Sequence, residues 1–474
     1  MAKLNRWYPV LALIAAAPLT ASAGQVLTLD DYLKQVEEGH GGLKGARATA
    51  VGGIDAASEA DLFFSPQLSL SAGYANDHRE PLLNFSPTNT SGTQYVLAVS
   101  ELTPFGLQSK LSYTFSPKST QGSGVTPPQY TDAALEADLT FSLWRNFLGS
   151  ESRAQKAAAR AGDEATGYGN LFQASQIRAE AESSYWRLAA ARESVTAQRE
   201  ALESAKRLRE WNASRVQRHL GDEADLYQAE SALAARRLQL QAAEDEERAA
   251  ARKVQSMRAA TTEKVEEDLS LPDPGDMAGI KVPERKQVRA DVLAARAQYD
   301  AAGAAAQLGL ERNRPTVEAF AQLSTNGHSL TSGDQAISKS LTTQYPYNTV
   351  GVRLSLPFDQ FSAGTARSGY SRQVEGAQMS YERKLREGEE LWIELNHKVD
   401  DAKHELTLAT ALEGIQRRKL EHERDRLKSG RTTTFQVINF EQDYATARLS
   451  RIAAQAGLLN LVALLKTFAE GGSL

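Results

Sequence analysis

The sequence predicts an α plus transmembrane β-barrel fold, written twice along 474 residues as strands followed by very long helices. Its fifteen prolines leave two long gaps, from Pro128 to Pro272 and from Pro357 to the C-terminus. Both gaps are filled with Ala, Glu, Gln, Arg and Leu, the residues that lose least by becoming helical. Each gap follows a short run in which apolar and polar residues alternate, the period of a strand.

The N-terminus reads as an export signal, residues 1–23. Lys3 and Arg6 are its basic part, Val10 to Ala17 its apolar part, and Ala21-Ser22-Ala23 its cleavage site. The apolar part is shorter than the roughly 20 residues that span a bilayer. No later run approaches that length, so membrane insertion has to use strands. Cysteine is absent, which excludes disulfides, thiolate metal sites, a cysteine nucleophile and a lipid anchor of the cysteine type. The net charge of −5, with both signs interleaved, gives no nucleic-acid footprint. The seven histidines are scattered and form no HExxH pair. No Ser/His/Asp set, metal cluster or phosphate loop can be assembled, so the chain reads as a non-enzyme without a cofactor.

Residues 24–260 form the first repeat. Leu29 to Phe64 reads as helix, stopped by Pro66, and barrel strands occupy about 66–143. Leu68, Leu70, Ala72 and Tyr74 alternate with Gln67, Ser69, Ser71 and Gly73. An extra hairpin turns at Thr103-Pro104-Phe105-Gly106, with Tyr95, Leu97 and Val99 before it and Leu111, Tyr113 and Phe115 after it. Leu135, Ala137, Leu139 and Phe141 then alternate with Glu136, Asp138, Thr140 and Ser142. A long helix fills 150–217, on the order of 100 Å at 1.5 Å per residue. A tip at 218–222 and a return helix at 223–260 follow, and 261–284, with Pro272, Pro274 and Gly275, is an equatorial linker.

The second repeat is 285–474: helix 285–313, strands 315–325 and 347–358, long helix 363–427, tip 428–432 and return helix 433–468. Arg47 aligns with Arg296 and Pro66 with Pro315 at one common offset. Glu230 likewise aligns with Glu441 and Arg237 with Arg448, which leaves Gly221 and Gly430 out of register and the tips non-identical. Gly at the tips suits a left-handed helix ending, with Asp222 and Thr432 as caps.

Strands with one charged and one unbroken apolar face suit a barrel with lipid outside and water inside; a soluble sandwich with a wet face is the alternative. Glu136, Asp138, Glu318 and Arg353 are the barrel-lumen candidates. Tyr74, Tyr95, Tyr113, Phe115, Trp144, Tyr345, Tyr347 and Phe358 lie where interfacial girdles sit. The flanking loops, Asn76 to Gly92 and Ser116 to Tyr130, are long and polar. The hairpin either joins the barrel, giving six strands per chain, or packs outside it. Helix stripes such as Ala181, Ser184, Leu188 and Ala189, or Leu226, Ala229, Leu233 and Arg237, are narrow coiled-coil seams. A lone copy buries too little on them, so oligomerisation is expected; an antiparallel coiled coil with no channel is the alternative. Arg218, Glu223, Glu421, Asp425 and Lys428 are periplasmic gate candidates, or simply solvated helix ends.

The helices ending at Pro66 and Pro315, the run Leu354-Ser355-Leu356-Pro357-Phe358, and Gly430 followed by Thr434-Phe435-Gln436-Val437-Ile438 and Glu441 resemble the TolC-like family of outer-membrane efflux and secretion ducts. Gly221 through Leu226 to Ala229-Glu230 resembles it more loosely. That resemblance implies a homotrimer in outer-membrane lipid whose strands close one barrel and whose helices form a periplasmic tunnel. It implies a periplasmic adaptor (membrane fusion) protein and an inner-membrane RND, ABC or MFS transporter as partners. Leu220, Gly221, Asp222, Ser429, Gly430, Arg431 and Thr432 become the adaptor-contact tips. The extra hairpin departs from the family's twelve-strand barrel and allows eighteen. A coiled-coil envelope protein without channel activity is the other reading. Cargo is not legible.

Overall fold

The computed structural model describes residues 26–80, 87–122, 128–277, 279–285, 288–356 and 358–469. The export signal and Pro357 lie outside them. The described residues form two compact units. One comprises 26–44, Ser175–Glu284 and Ile393–Ala469, the other Gly45–Ala174 and Arg285–Trp392. Their helices are α1 (Leu29–Gly39), α2 (Gly41–Ala56), α3 (Ser150–Gln217), α4 (Glu223–Arg258), α5 (Pro274–Met277), α6 (Ala290–Arg312), α7 (Gly333–Ser340), α8 (Gln360–Lys428) and α9 (Thr434–Ala469). The duplication is visible in their lengths: α3 and α8 have 68 and 69 residues, and α4 and α9 have 36 each.

The single helix expected over Leu29 to Phe64 is instead α1, α2 and a 3-10 turn, Ala57–Phe64. His40 interrupts it in extended conformation, and its ring Nδ1 accepts from the Leu43 N–H at 3.0 Å. Three glycines around His40 weaken helix propensity there. Ser65 is extended because a residue before proline disfavours the helical region. The helix expected from 285 begins at Ala290, since Arg289 is extended. The other element ends differ from expectation by a few residues, where helices fray.

In the second unit, six strands form one antiparallel sheet in chain order. They are β1 (Gln67–Asp77), β2 (Asn89–Leu102), β3 (Leu107–Gln121), β4 (Gln129–Ser142), β5 (Thr316–Ser329) and β6 (Pro346–Ser355). The extra hairpin supplies β2 and β3, inside the sheet. Directly paired residues share a face, so the register sorts the side chains. One row runs Leu68, Val99, Leu111, Ala137, Leu323 and Asn348; the next runs Leu70, Leu97, Tyr113 and Leu135. Nearer the helix joints, Phe141, Ala319 and Val352 line up, as do Val317 and Leu354. These rows leave large apolar side chains open: Leu68, Leu70, Val350 and Val352 are 67–78% exposed.

Aromatic residues bound this apolar face. Tyr95 stacks on Phe115 at 6.5 Å, with Tyr74 near them, while exposed Phe105, Trp144, Phe147 and Phe358 gather at the helix joints. From Tyr95 to Phe105, strand rise and an ordinary barrel tilt give about 25 Å, the height of a membrane-barrel apolar band. Tyr347 is a correction: it pairs with Ser324 on the polar face. The strands also reach further into the expected loops, to Gln121 in β3 and from Gln129 in β4. Helix α7 was not expected. It is capped by Ser332 and tied to the sheet by Tyr113 Oη and Ser340 Oγ at 3.0 Å.

The first unit is a helical core. Tyr32 Oη meets Ser184 Oγ at 2.9 Å, and burial pushes its phenol up to about 12. Tyr185 donates to the Leu27 carbonyl at 2.6 Å. The linker is packed here, with Met277 fully buried and the Pro272 carbonyl accepting from Gln455 at 3.0 Å. Helix α9 is long and apolar enough to cross a membrane, with mean hydropathy 1.5 over its richest window, half of which is buried. Leu458, Ala463, Leu465 and Phe468 are core residues of this unit, which accounts for the composition.

Candidate functional site

The face of the sheet opposite the apolar rows carries its charges apart from Glu101, which stands on the apolar side at the end of β2. Glu136, Asp138, Glu318 and Arg353 all lie on it, the parity of their strand positions placing them together. Arg353 faces Glu318 at 3.6 Å and lies 5.3 Å over the Phe320 ring. Gln322 donates to Glu136, and Asp138 is flanked by Lys110 and Gln322 in register.

Sequence reasoning missed a second group on this face. Lys118 donates to Asp132 at 2.9 Å, Asp132 meets His328 Nδ1 at 2.8 Å, and Tyr130 lies 5.2 Å from the His328 ring. Those strand ends are polar on both faces, so hydrophobic alternation cannot reveal them, though backbone pairing continues. The sheet thus has an acid–base face backed by a largely apolar one.

The turns are built alike, contrary to the expectation that they differ. In the second, Gly430 N–H donates to the Leu427 carbonyl at 3.0 Å and Arg431 N–H to the Arg426 carbonyl at 2.9 Å. That is a Schellman ending with Gly430 left-handed at φ +70. In the first, His219 donates to Val216 at 2.9 Å and Leu220 to Arg215 at 2.9 Å, with His219 at φ 56. His219, not Gly221, therefore takes the left-handed position and is the counterpart of Gly430. The Glu230–Glu441 alignment pairs them without any slip. Asp222 caps α4 by accepting from Ala224 N–H at 3.0 Å. Its counterpart is Thr433, which accepts from Gln436 N–H at 3.3 Å, and not Thr432, whose hydroxyl binds Glu423.

A histidine in the left-handed region carries a steric penalty that glycine escapes. His219→Gly is expected to raise stability by about 1 kcal/mol, and Gly430→Val to lower it similarly. Thermal unfolding in detergent checks both, and a lower melting point for His219→Gly would refute the assignment.

The gate candidates Arg218, Glu223, Glu421, Asp425 and Lys428 are all exposed. Asp425 pairs with Lys428 at 3.0 Å and Glu421 with Arg417 at 4.0 Å, both along α8 itself. Such exposed pairs contribute about 0–1 kcal/mol. Inter-helix charges lie elsewhere in this unit. Arg451 of α9 reaches Glu193 of α3 and Glu413 of α8, each at 2.5 Å. Glu441 accepts from Ser204 at 2.7 Å and Arg424 at 2.8 Å. Its counterpart Glu230 takes Arg209 at 2.9 Å. The duplicated alignment marked Glu230 and Glu441 without revealing this role. The α4 stripe continues to buried Arg236; Arg237 is exposed. Among the described residues, no group of His, Cys, Asp and Glu is arranged to hold a metal.

Long paired helices joined to an antiparallel sheet, twice per chain, define the fold of TolC-like outer-membrane channels. Solved structures share it along nearly the whole chain. The outer-membrane channel OprN matches with TM-score 0.65 at 17% identity, over 94% of this chain and 90% of that one. The outer-membrane protein VceC of Vibrio cholerae matches at 0.63 and 15%, over 93% and 96%. The Campylobacter jejuni outer-membrane channel CmeC matches at 0.62 and 14%, over 99% and 94%. No protein-family model and no curated protein matches the sequence.

Proposed function

We propose that this protein is an outer-membrane exit duct of a tripartite efflux pump or type I secretion system. It conducts solutes passively from a periplasmic adaptor and an inner-membrane transporter to the exterior. The observation that carries the reading is the predominantly apolar face that crosses all six strands, interrupted at Glu101, Ser109, Thr325 and Asn348, with every lumen candidate on the other face. In water that face would be an aggregation site; in lipid it is a barrel exterior.

Assembly is the second requirement. Large apolar side chains such as Leu68, Leu70, Val350, Val352 and Phe361 are left exposed by one chain, and contacts between copies and with lipid cover them. A homotrimer, as the fold's known members suggest, joins the helix pairs into one tunnel. The turns around His219 and Gly430 meet the adaptor, and the exposed charges beside them close the tunnel through contacts between copies.

The test is conductance. The processed protein, purified in detergent, is expected to give stepwise current increments in planar bilayers and to run as a heat-resistant oligomer. Gly430→Trp is expected to leave channel formation and oligomer assembly intact, at a stability cost like that of Gly430→Val, while abolishing export in cells. A water-soluble monomer without conductance would overturn the reading.

A further inference from the structure

We propose that the hairpin β2–β3 is pore wall, that three copies close an eighteen-stranded barrel, and that this outer portal passes solutes of macromolecular width. The inference rests on the trimeric duct proposed above and adds its bore.

The hairpin is integrated on both sides. It is paired with β1 from Gln67 to Asp77 and with β4 from Leu107 to Ser119. It keeps the sorting of faces through its middle: Ser100 and Lys110 stand between Gln67 and Asp138 in the polar row, and Val99 and Leu111 between Leu68 and Ala137 in the apolar one, the sorting lapsing at Glu101 and Ser109 beside the turn. A hairpin lying outside a barrel would have no reason to place lysine inward and leucine outward in step with its neighbours. Its turn is locked as well. Gly106, at φ +84, would set a Cβ 2.7 Å from the Asn146 carbonyl, and Gly149 would set one against Pro104. Arg153 donates to the Pro104 carbonyl at 2.7 Å.

The two edges then have to be covered. β1 and β6 each have one neighbour, and nearly every residue of both is exposed. With six alternating strands they run antiparallel, so β6 of one copy can receive β1 of the next and the ring closes without an edge. The stagger fits closure. The row starting at Gln67, the first residue of β1, crosses Ser100, Lys110, Asp138 and Gln322 and reaches Thr349, six residues before the end of β6. Taking the helix joints Pro66 and Leu356 as level, that climb corresponds to a strand tilt of about 40°, in the range of closed barrels.

Eighteen strands at about 4.8 Å and that tilt give a backbone diameter of about 36 Å; twelve give about 24 Å. The same unit contributes four helical segments per copy, α2, α6 and the initial parts of α3 and α8. Twelve helices spaced about 9.5 Å apart also make a ring about 36 Å across. The eighteen-strand barrel matches that width, leaving a bore of about 25 Å after side chains. That is the cross-section of a small folded domain.

Spin labels at single cysteines test this on the full-length oligomer, since the chain has no cysteine of its own. Ser100→Cys and Thr349→Cys both lie on the polar face, one in the hairpin and one in β6. In a threefold eighteen-strand ring, labels lining that bore are expected to lie about 20 Å apart between copies at both sites. About 10 Å at Thr349→Cys, with a distance well above about 20 Å at Ser100→Cys, would place the hairpin outside a twelve-strand barrel and overturn the proposal. Signal amplitude counts the coupled spins; an uncoupled label would refute the trimeric duct itself, a distinguishable failure.

Discussion

Leu97→Arg is expected to abolish assembly in the membrane, whereas Val96→Arg, one residue away, leaves it intact. Leu97 stands in the apolar row between Leu70 and Tyr113, while Val96 stands between Ser71 and Thr114 on the charged face. An arginine at the midplane of a barrel's lipid face costs about 2–4 kcal/mol. Each copy of the oligomer repeats that cost, so the assembled form is suppressed by orders of magnitude. On the polar face the same side chain meets water and carboxylates such as Glu136 and Asp138. Heat-resistant oligomer in the outer-membrane fraction measures the difference. Equal tolerance of both changes would mean that the two faces do not see different solvents.

The second large effect lies in the helical unit. Arg451→Ala removes one guanidinium that serves Glu193 and Glu413, with the Arg451 side chain only 10% exposed. What remains is two facing carboxylates without their cation. Breaking a buried pair costs about 3–5 kcal/mol, and the partial exposure of both glutamates brings the expectation to about 2–3 kcal/mol. Arg451→Lys is expected to recover less than half, because a point charge cannot reach two carboxylates on different helices. Adding Glu193→Gln and Glu413→Gln to Arg451→Ala is expected to restore most of the loss. Thermal unfolding of the oligomer checks the series, and no rescue would assign the effect to lost packing.

The repeated layout was legible because it is written in residues with strong local preferences. Proline placement set the helix joints, and alternation of Leu with Ser or Glu set the strand faces. Parity alone then placed Glu136, Asp138, Glu318 and Arg353 on one side. What stayed hidden has specific causes. Ser116, Lys118 and Asp132 continue strands whose faces are both polar, so nothing in the hydrophobic pattern extends that far. The turn at His219 was misjudged because glycine two residues on was the obvious candidate for positive φ, yet the backbone bonds to Arg215 and Val216 fix the ending earlier. Helix α7 is eight residues, too short for its period to stand out. The ties from Arg451 and Glu441 join residues far apart in sequence, which no local window contains.

Cysteine substitutions, one at a time, from Tyr95 to Ser100 test the central claim most directly. Each variant is reconstituted in lipid vesicles and treated with a water-borne maleimide. Labelling is expected at positions 96 and 100 and protection at 95, 97 and 99, with position 98 shielded by the burial of Ala98. Uniform labelling along the strand, with no alternation, would contradict a wall that separates lipid from a water-filled bore.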